Sequence, residues 1–349
     1  MESIVSAVIR ATGNCNLDCK YCYERDKAKI NMSIDTLKNV IKKFIDYNEY
    51  HAHFSWIGGE PLLRHNSFFE KIIELQEKNN TKNIIIKNSI QTNGLLLSPE
   101  RLNFLRNLGY KVGISYDGTD DLTDALRISK NGKRYGKDIS DCIHSCPRDV
   151  GTITVLTKKS IGRAKEIYDN LKAKTKSASF NLFMPSSNVS ENNELLPDPK
   201  EFGELLIELY THWKNDDGDL MLHPFTSIIK SLTSGENSIC EYSAKSCYQL
   251  VLIKSTGEVY TCSRSTHRKE CYLGDINKQS LTQILANPAR KKVLERMQKL
   301  QKECCEYFQI CNGGCPQEAL STNGDEFSKT YYCKSKKKLF DYICEDIKK

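Results

Sequence analysis

Three cysteines, Cys15, Cys19 and Cys22, share one tight loop directly after an alternating apolar run at 3–10, and this spacing constrains the chain more than any other feature. Three thiolates on one loop can hold three irons of a 4Fe-4S cubane, because Cys sulfur is the ordinary ligand of such clusters. The fourth iron is then left open, able to chelate a small molecule and pass it an electron. A structural zinc site would draw a fourth Cys or His from short spacing. His51 and His53 lie well along a different element, so zinc is the weaker reading.

The 349 residues suffice for one large domain with an appendage or for two domains. No run approaches the roughly twenty apolar residues of a membrane span, and the first ten residues lack the pattern of a signal peptide. A cytoplasmic location is expected, and fifteen cysteines there read as metal ligands rather than disulfides. The net charge of +7 is modest, with one lysine cluster at 334–338 that reads as the solvated face of a terminal helix. Neither nucleic acid nor membrane is an expected partner.

Alternating apolar runs predict strands at 3–10, 53–57, 83–91, 111–115, 150–156 and 179–184. Amphipathic segments between them predict helices at 33–47, 67–77, 98–107, 137–145 and 160–173. Repeated βα units around a largely parallel sheet follow. A Pro-, Ser- and Asn-rich loop spans 185–200, helices are expected at about 200–213 and 223–232, and the composition turns cysteine-rich after Ser234.

Three strands end in polar or glycine-rich signatures: Gly58-Gly59-Glu60-Pro61, Gln91-Thr92-Asn93-Gly94 and Ser115-Tyr116-Asp117-Gly118. Taken singly, each is a turn signal. Glycine also lets backbone approach a ligand closely, and a carboxylate beside it can pair with an ammonium. With Tyr21 before the third cysteine, the set resembles the radical S-adenosylmethionine (SAM) enzymes, whose motifs are CxxxCxxC, GGEP, QTNG and SxDG. The resemblance implies an α/β fold, a partial (β/α)6 barrel with its active site at the C-terminal ends of the strands, where barrel loops usually carry function. It implies that the open iron binds the amino and carboxylate groups of SAM. Reduction then cleaves SAM to methionine and a 5'-deoxyadenosyl radical that takes a hydrogen from substrate. Gly58, Gly59 and Glu60 are the implied neighbours of the SAM amino group, Ser115 of the ribose with Asn93 nearby, Arg127 of the carboxylate and Leu156 of the adenine, and Tyr21 is implied to bind SAM as well.

Farther on, Cys247-x9-Gly257-x4-Cys262, Cys305-x5-Cys311-x3-Cys315 and Cys333 resemble the SPASM domain of peptide-modifying radical SAM enzymes, which binds two auxiliary 4Fe-4S clusters. The resemblance assigns Cys240, Cys247, Cys262 and Cys315 to the first auxiliary cluster, and Cys305, Cys311 and Cys333 to the second. Where the pattern has one more cysteine this chain has Lys302; Cys304 is the nearest replacement, and an open iron is the alternative. Three 4Fe-4S clusters and SAM are thus the expected cofactors. Of the cysteines left over, Cys142 and Cys146 stand four apart as one helix face, and Cys271 reads as a small hydrophobe, an alternative ligand or a functional thiol.

The domains expected are a radical SAM barrel at 1–184, a linker with bridging helices at 185–234 and a SPASM domain at 235–349. The implied function is maturation of a ribosomal precursor peptide by an intramolecular C-C or thioether cross-link, with an electron donor such as flavodoxin or ferredoxin. Anaerobic sulfatase maturation, the oxidation of a Cys or Ser to formylglycine, is the alternative, and a small-molecule dehydrogenase the third. Sulfatase maturases carry an Asp base directly after the second cysteine of CX9-15GX4C, and this chain has Ser263 there, which disfavours that alternative. With the cluster motif starting at Cys15, no leader-binding domain is expected ahead of it.

Overall fold

The computed structural model describes residues 6–24, 29–185, 194–235, 239–303 and 305–348. The expected start of the first strand at 3–5, part of the 185–200 loop and Cys304 lie outside them. Ten strands run in chain order as β1 (Ser6–Thr12), β2 (His51–Gly58), β3 (Ile85–Thr92), β4 (Tyr110–Ser115), β5 (Gly151–Leu156), β6 (Ser177–Leu182), β7 (Met221–His223), β8 (Leu250–Ile253), β9 (Glu258–Tyr260) and β10 (Tyr272–Asp275). The first six answer the six expected from sequence. The third begins at Ile85 rather than 83 because Asn83 takes a left-handed φ of 54° and the Asn80 side chain bonds both the N–H and the C=O of Ile84, making that stretch a turn. The strands β7 to β10 are three or four residues long, too short for alternation to show.

The chain divides into two compact units, each drawn from separated stretches. The first comprises Met1–Asn16, Glu24–Ile114 and Tyr248–Lys292; the second comprises Leu17–Tyr23, Ser115–Cys247 and Val293–Lys349. In the first unit the strand order is β10-β9-β8-β1-β2-β3-β4. There β1 is parallel to both neighbours, with Ser6 opposite His53 on β2 and opposite Leu250 on β8, whereas β9 and β10 turn back antiparallel. The helix Ile34–Tyr47 is capped by Ser33, whose hydroxyl accepts from the Thr36 N–H, and it buries Leu37, Val40, Ile41, Phe44 and Ile45 at helical spacing. Phe44 meets Phe54, which stacks on Trp56, and Trp56 meets Phe68 edge-on, so one aromatic ladder fills this core. The Trp56 indole N–H donates to Asn88 Oδ1 at 3.0 Å. Lys43 Nζ donates to the carbonyls of Ile276 and Gln279, pinning the same helix to the chain that follows β10.

The second unit holds the parallel strands β5, β6 and β7. Helices Pro199–Lys214 and Cys333–Ile347 pack together beside them, with the Phe202 and Tyr332 rings 4.6 Å apart and the Tyr332 hydroxyl donating to the Phe183 carbonyl at 3.1 Å. A helix at Asp120–Leu126, absent from the sequence expectation, is capped by Thr119. Among the described residues no helix is long and apolar enough to cross a membrane.

Candidate active site and cluster ligands

In the first unit the chain leaving β1 lies hard against the end of β2. Gly59 N–H donates to the Thr12 carbonyl at 2.9 Å and Glu60 N–H to the Asn14 carbonyl at 2.8 Å. A Cβ on Gly58 would stand 2.4 Å from Thr12 O, and one on Gly59 would stand 1.9 Å from Asn14 O and 3.0 Å from Cys15 Cβ. Both glycines are therefore required by the approach of the backbone that carries Cys15. The Glu60 carboxylate is fully buried and accepts from the N–H groups of Leu62 and Asn93 and from the Thr92 hydroxyl at 2.7 Å. Burial pushes its pKa up and these hydrogen bonds pull it back. Asn93 in turn donates to Asn16 Oδ1 at 2.7 Å. Glu60 and Asn93 thus tie the ends of β2 and β3 to the cysteine loop.

In the second unit Tyr21, Asp117 and Arg127 form one buried network. Arg127 grips Asp117 in a bidentate pair at 2.9 and 3.2 Å, and the Tyr21 hydroxyl donates to the same carboxylate at 2.8 Å. The Arg127 guanidinium lies 5.3 Å from the centre of the Tyr21 ring. Burial alone would lower the Arg127 pKa, but Asp117, Tyr21 and Cys19 outweigh it and raise it. The cation expected to face SAM is thereby held rigidly beside Cys19. Ser115 ends β4, half-buried, and Leu156 ends β5, fully covered by the chain. Asp117→Ala should leave the buried Arg127 charge unpaired and cost on the order of 3–5 kcal/mol, read as a lowered urea midpoint with unchanged m-value; an unmoved midpoint would contradict the network's role.

Cys305, Cys311 and Cys333 also gather in the second unit. Burial raises the pKa of Cys311, the Gly313 N–H and Lys336 lower it, and Cys333 and Cys305 raise it; Cys333 likewise responds to burial first and then to Cys305. Cys311 and Cys333, each near enough to Cys305 and Lys336 to feel them, suit a cluster whose irons each take one thiolate. Among the described residues no three His, Cys, Asp or Glu side chains converge on a point as one metal ion requires; a cubane instead needs sulfurs spread around it. Between Cys311 and Cys315 the turn Asn312-Gly313-Gly314 has φ of 45°, 80° and 77°. Buried Arg296 holds it by donating to the carbonyls of Gly314, Gly313 and Ser328. Sequence reasoning passed over Arg296, whose one signal is a cation in the buried stripe of the helix Lys292–Gln301.

Of the residues expected around the first auxiliary cluster, Cys240, Cys247 and Cys315 belong to the second unit and Cys262 to the first. Asn312 Oδ1 accepts the Ala244 N–H at 3.1 Å, linking the Cys247 helix to the Cys311–Cys315 turn. Lys302 is exposed just past its helix. Cys271 is 4% exposed and packs with Leu252 and Tyr260, which assigns it to the core rather than to a functional thiol. Cys142 and Cys146 are within hydrogen-bonding reach, as one helix face requires.

A second residue missed from sequence is Glu24. Its carboxylate is 9% exposed, pairs with Arg10 on β1 and accepts from the Thr266 hydroxyl at 2.7 Å, while Arg10 Nη2 also donates to the Ser263 carbonyl at 3.1 Å.

Residues 9–184 match the radical SAM superfamily and residues 245–316 the SPASM iron-sulfur cluster-binding domain. The cysteine-type anaerobic sulfatase-maturating enzyme of Clostridium perfringens is 27% identical, over 95% of this chain and 94% of its own. The serine-type enzyme of Bacteroides thetaiotaomicron is also 27% identical, over 94% and 86%. The solved structure of native anSMEcpe with bound AdoMet and Cp18Cys peptide superposes with a TM-score of 0.88 at 25% identity, covering 98% of both chains. These similarities favour the sulfatase-maturation alternative over the cross-linking expectation. The chain belongs to the radical SAM superfamily and carries a C-terminal SPASM domain, making it an enzyme of SAM and iron-sulfur chemistry.

Proposed function

We propose that this enzyme oxidises a Cys or Ser side chain of a protein or peptide substrate to formylglycine. The carrying observation is similarity to both cysteine-type and serine-type sulfatase-maturating enzymes over 95% and 94% of this chain. The ligand set supporting this reading is Cys15, Cys19 and Cys22 for the SAM cluster, Cys240, Cys247, Cys262 and Cys315 for one auxiliary cluster, and Cys305, Cys311 and Cys333 with Cys304 for the other. Bound together, the first cluster and SAM supply a radical that takes a hydrogen atom from carbon.

The chain's own residues prepare for that step. Gly58 and Gly59 admit the Cys15 backbone, Glu60 fixes Asn93 and the loop, and the Asp117 pair holds Arg127 where a SAM carboxylate would meet a cation. Ser115 stands at a strand end as a ribose partner. Ser263, in place of an acidic base, is the observation that favours the cross-linking reading, so the test must separate the two. Reconstituted enzyme is incubated with SAM, a low-potential reductant and paired peptides carrying Cys or Ser at a sulfatase active-site position. Loss of sulfur from the Cys peptide, or of two hydrogens from the Ser peptide with a new carbonyl, is expected. Formation of 5'-deoxyadenosine with neither product would sink the reading.

A further inference from the structure

Arg296, 2% exposed on the helix Lys292–Gln301, turns its guanidinium on backbone carbonyls. Its Nη2 donates to Gly313 O at 2.7 Å and to Ser328 O at 2.8 Å, and its Nη1 to Gly314 O at 2.8 Å. Gly313 and Gly314 lie between Cys311 and Cys315, and Ser328 opens the stretch to Cys333, whose N–H returns to the Thr330 carbonyl at 3.0 Å. One planar cation thus ties together the approaches to three expected cluster ligands, which a lysine ammonium, with no fixed fork of donors, could not do. The held carbonyls also fix the N–H groups behind them. A trans peptide points its N–H opposite to its C=O, so the N–H groups of Gly314 and Cys315 are turned away from the guanidinium. Gly314 N–H closes on Cys311 O at 2.7 Å. The left-handed φ of residues 312–314 makes a nest of N–H groups, the concavity that receives anionic groups at many iron-sulfur sites. Inside this turn the Gly313 N–H donates to Cys311 Sγ.

We infer that Arg296 is a positioning residue for the second auxiliary cluster: by clamping the turn at 312–314 it aims the Gly313 N–H at Cys311 Sγ and so raises the reduction potential of that site. The inference rests on the ligand assignment proposed above and is independent of which side chain the enzyme oxidises. Reduction adds negative charge that spreads onto the thiolate sulfurs. An N–H dipole with its positive end on sulfur therefore favours the reduced state, and hydrogen bonds to sulfur are one of the levers that set such potentials. The effect needs a fixed direction, yet residues 312–314 belong to no strand or helix that could supply one. Arg296 supplies it from the neighbouring helix, as partners one step behind a ligand commonly do. The consequence is an auxiliary site better able to take up an electron.

The test uses the full-length reconstituted chain carrying Cys15→Ala, Cys19→Ala and Cys22→Ala, so that only auxiliary iron remains. Iron content, thermal midpoint and a potentiometric titration of the reduced-cluster EPR signal are measured on this parent and with Arg296→Lys or Arg296→Met added. Arg296→Lys keeps the charge and loses the fork. Its cluster should hold an added electron about tenfold more weakly, the worth of one hydrogen bond to a charged group, which for one electron is a downward shift of about 59 mV. Arg296→Met should fall at least as far. A lysine variant at the parent's potential overturns the positioning role, whether the methionine variant falls, which would assign the effect to charge alone, or not. A second measurement needs neither variant to fold: with glycine labelled at nitrogen, pulsed EPR of the reduced parent should show a glycine nitrogen coupled to a cluster. Absence of that coupling overturns the inference, and it decides the matter if Arg296→Lys loses its iron. A parent chain that holds no auxiliary iron overturns the ligand assignment and this inference with it.

Discussion

Gly59→Ala should abolish iron loading at Cys15 and, with it, SAM cleavage. The added carbon would sit 1.9 Å from Asn14 O and 2.4 Å from Asn14 C, both backbone atoms that cannot swing aside. Relief must come from separating the two strands of chain, and that breaks the bonds from Gly59 N–H to Thr12 and from Glu60 N–H to Asn14. A displacement of about 1 Å is enough to spoil a ligand constellation held by its supporting shell. Iron per chain should drop by the share of one cluster while the SPASM cysteines keep theirs, and SAM-dependent 5'-deoxyadenosine should fall to background. A variant with full iron and normal turnover would show that the loop has slack the geometry denies.

Glu318→Ala should be nearly as damaging, for an electrostatic reason. Glu318 and Lys336 pair at 3.0 Å with side chains 1% and 3% exposed, and Glu318 also accepts the Tyr332 N–H. Burial alone would lower the Lys336 pKa, but Glu318 and then Tyr242 hold it above the ordinary lysine range. Removing the carboxylate strands an ammonium in the interior, at a cost of about 3–5 kcal/mol. Glu318→Leu with Lys336→Met should recover most of that stability, because it removes both charges and fills their volume. The comparison of urea midpoints decides it; equal losses in single and double variants would mean that packing, not charge, sets the effect.

The sequence made some of this legible and hid the rest for physical reasons. Strands β1 to β6 were readable because each has six to eight residues with alternating burial, as in Gly151–Leu156. The cluster loop was readable because its ligands are local in sequence. Arg10, Glu24 and Thr266 were not, since Thr266 lies 242 residues from Glu24 and nothing in either neighbourhood names the other. Arg296 was hidden similarly, its three carbonyl partners lying in turns that have no pattern of their own. Asp117 was visible only as part of a turn signature, whereas the structure makes it the anchor of Tyr21 and Arg127. The similarity to sulfatase maturases outweighs the Ser263 argument because it runs over nearly the whole chain, whereas that argument weighs one residue.

The parallel pairing of β1 with β8 has a consequence for biosynthesis. As the chain emerges from the ribosome, β1 appears first, yet one of its two partners arrives only with Leu250–Ile253. Until then one edge of β1 exposes unpaired backbone groups, the kind of surface that recruits other strands. Contacts this distant in sequence form slowly, so the first unit cannot complete itself until Leu250–Ile253 has been made. Cells making this protein would then gain yield from slower synthesis or chaperone holding, and a fragment ending at residue 184 would never acquire its missing neighbour.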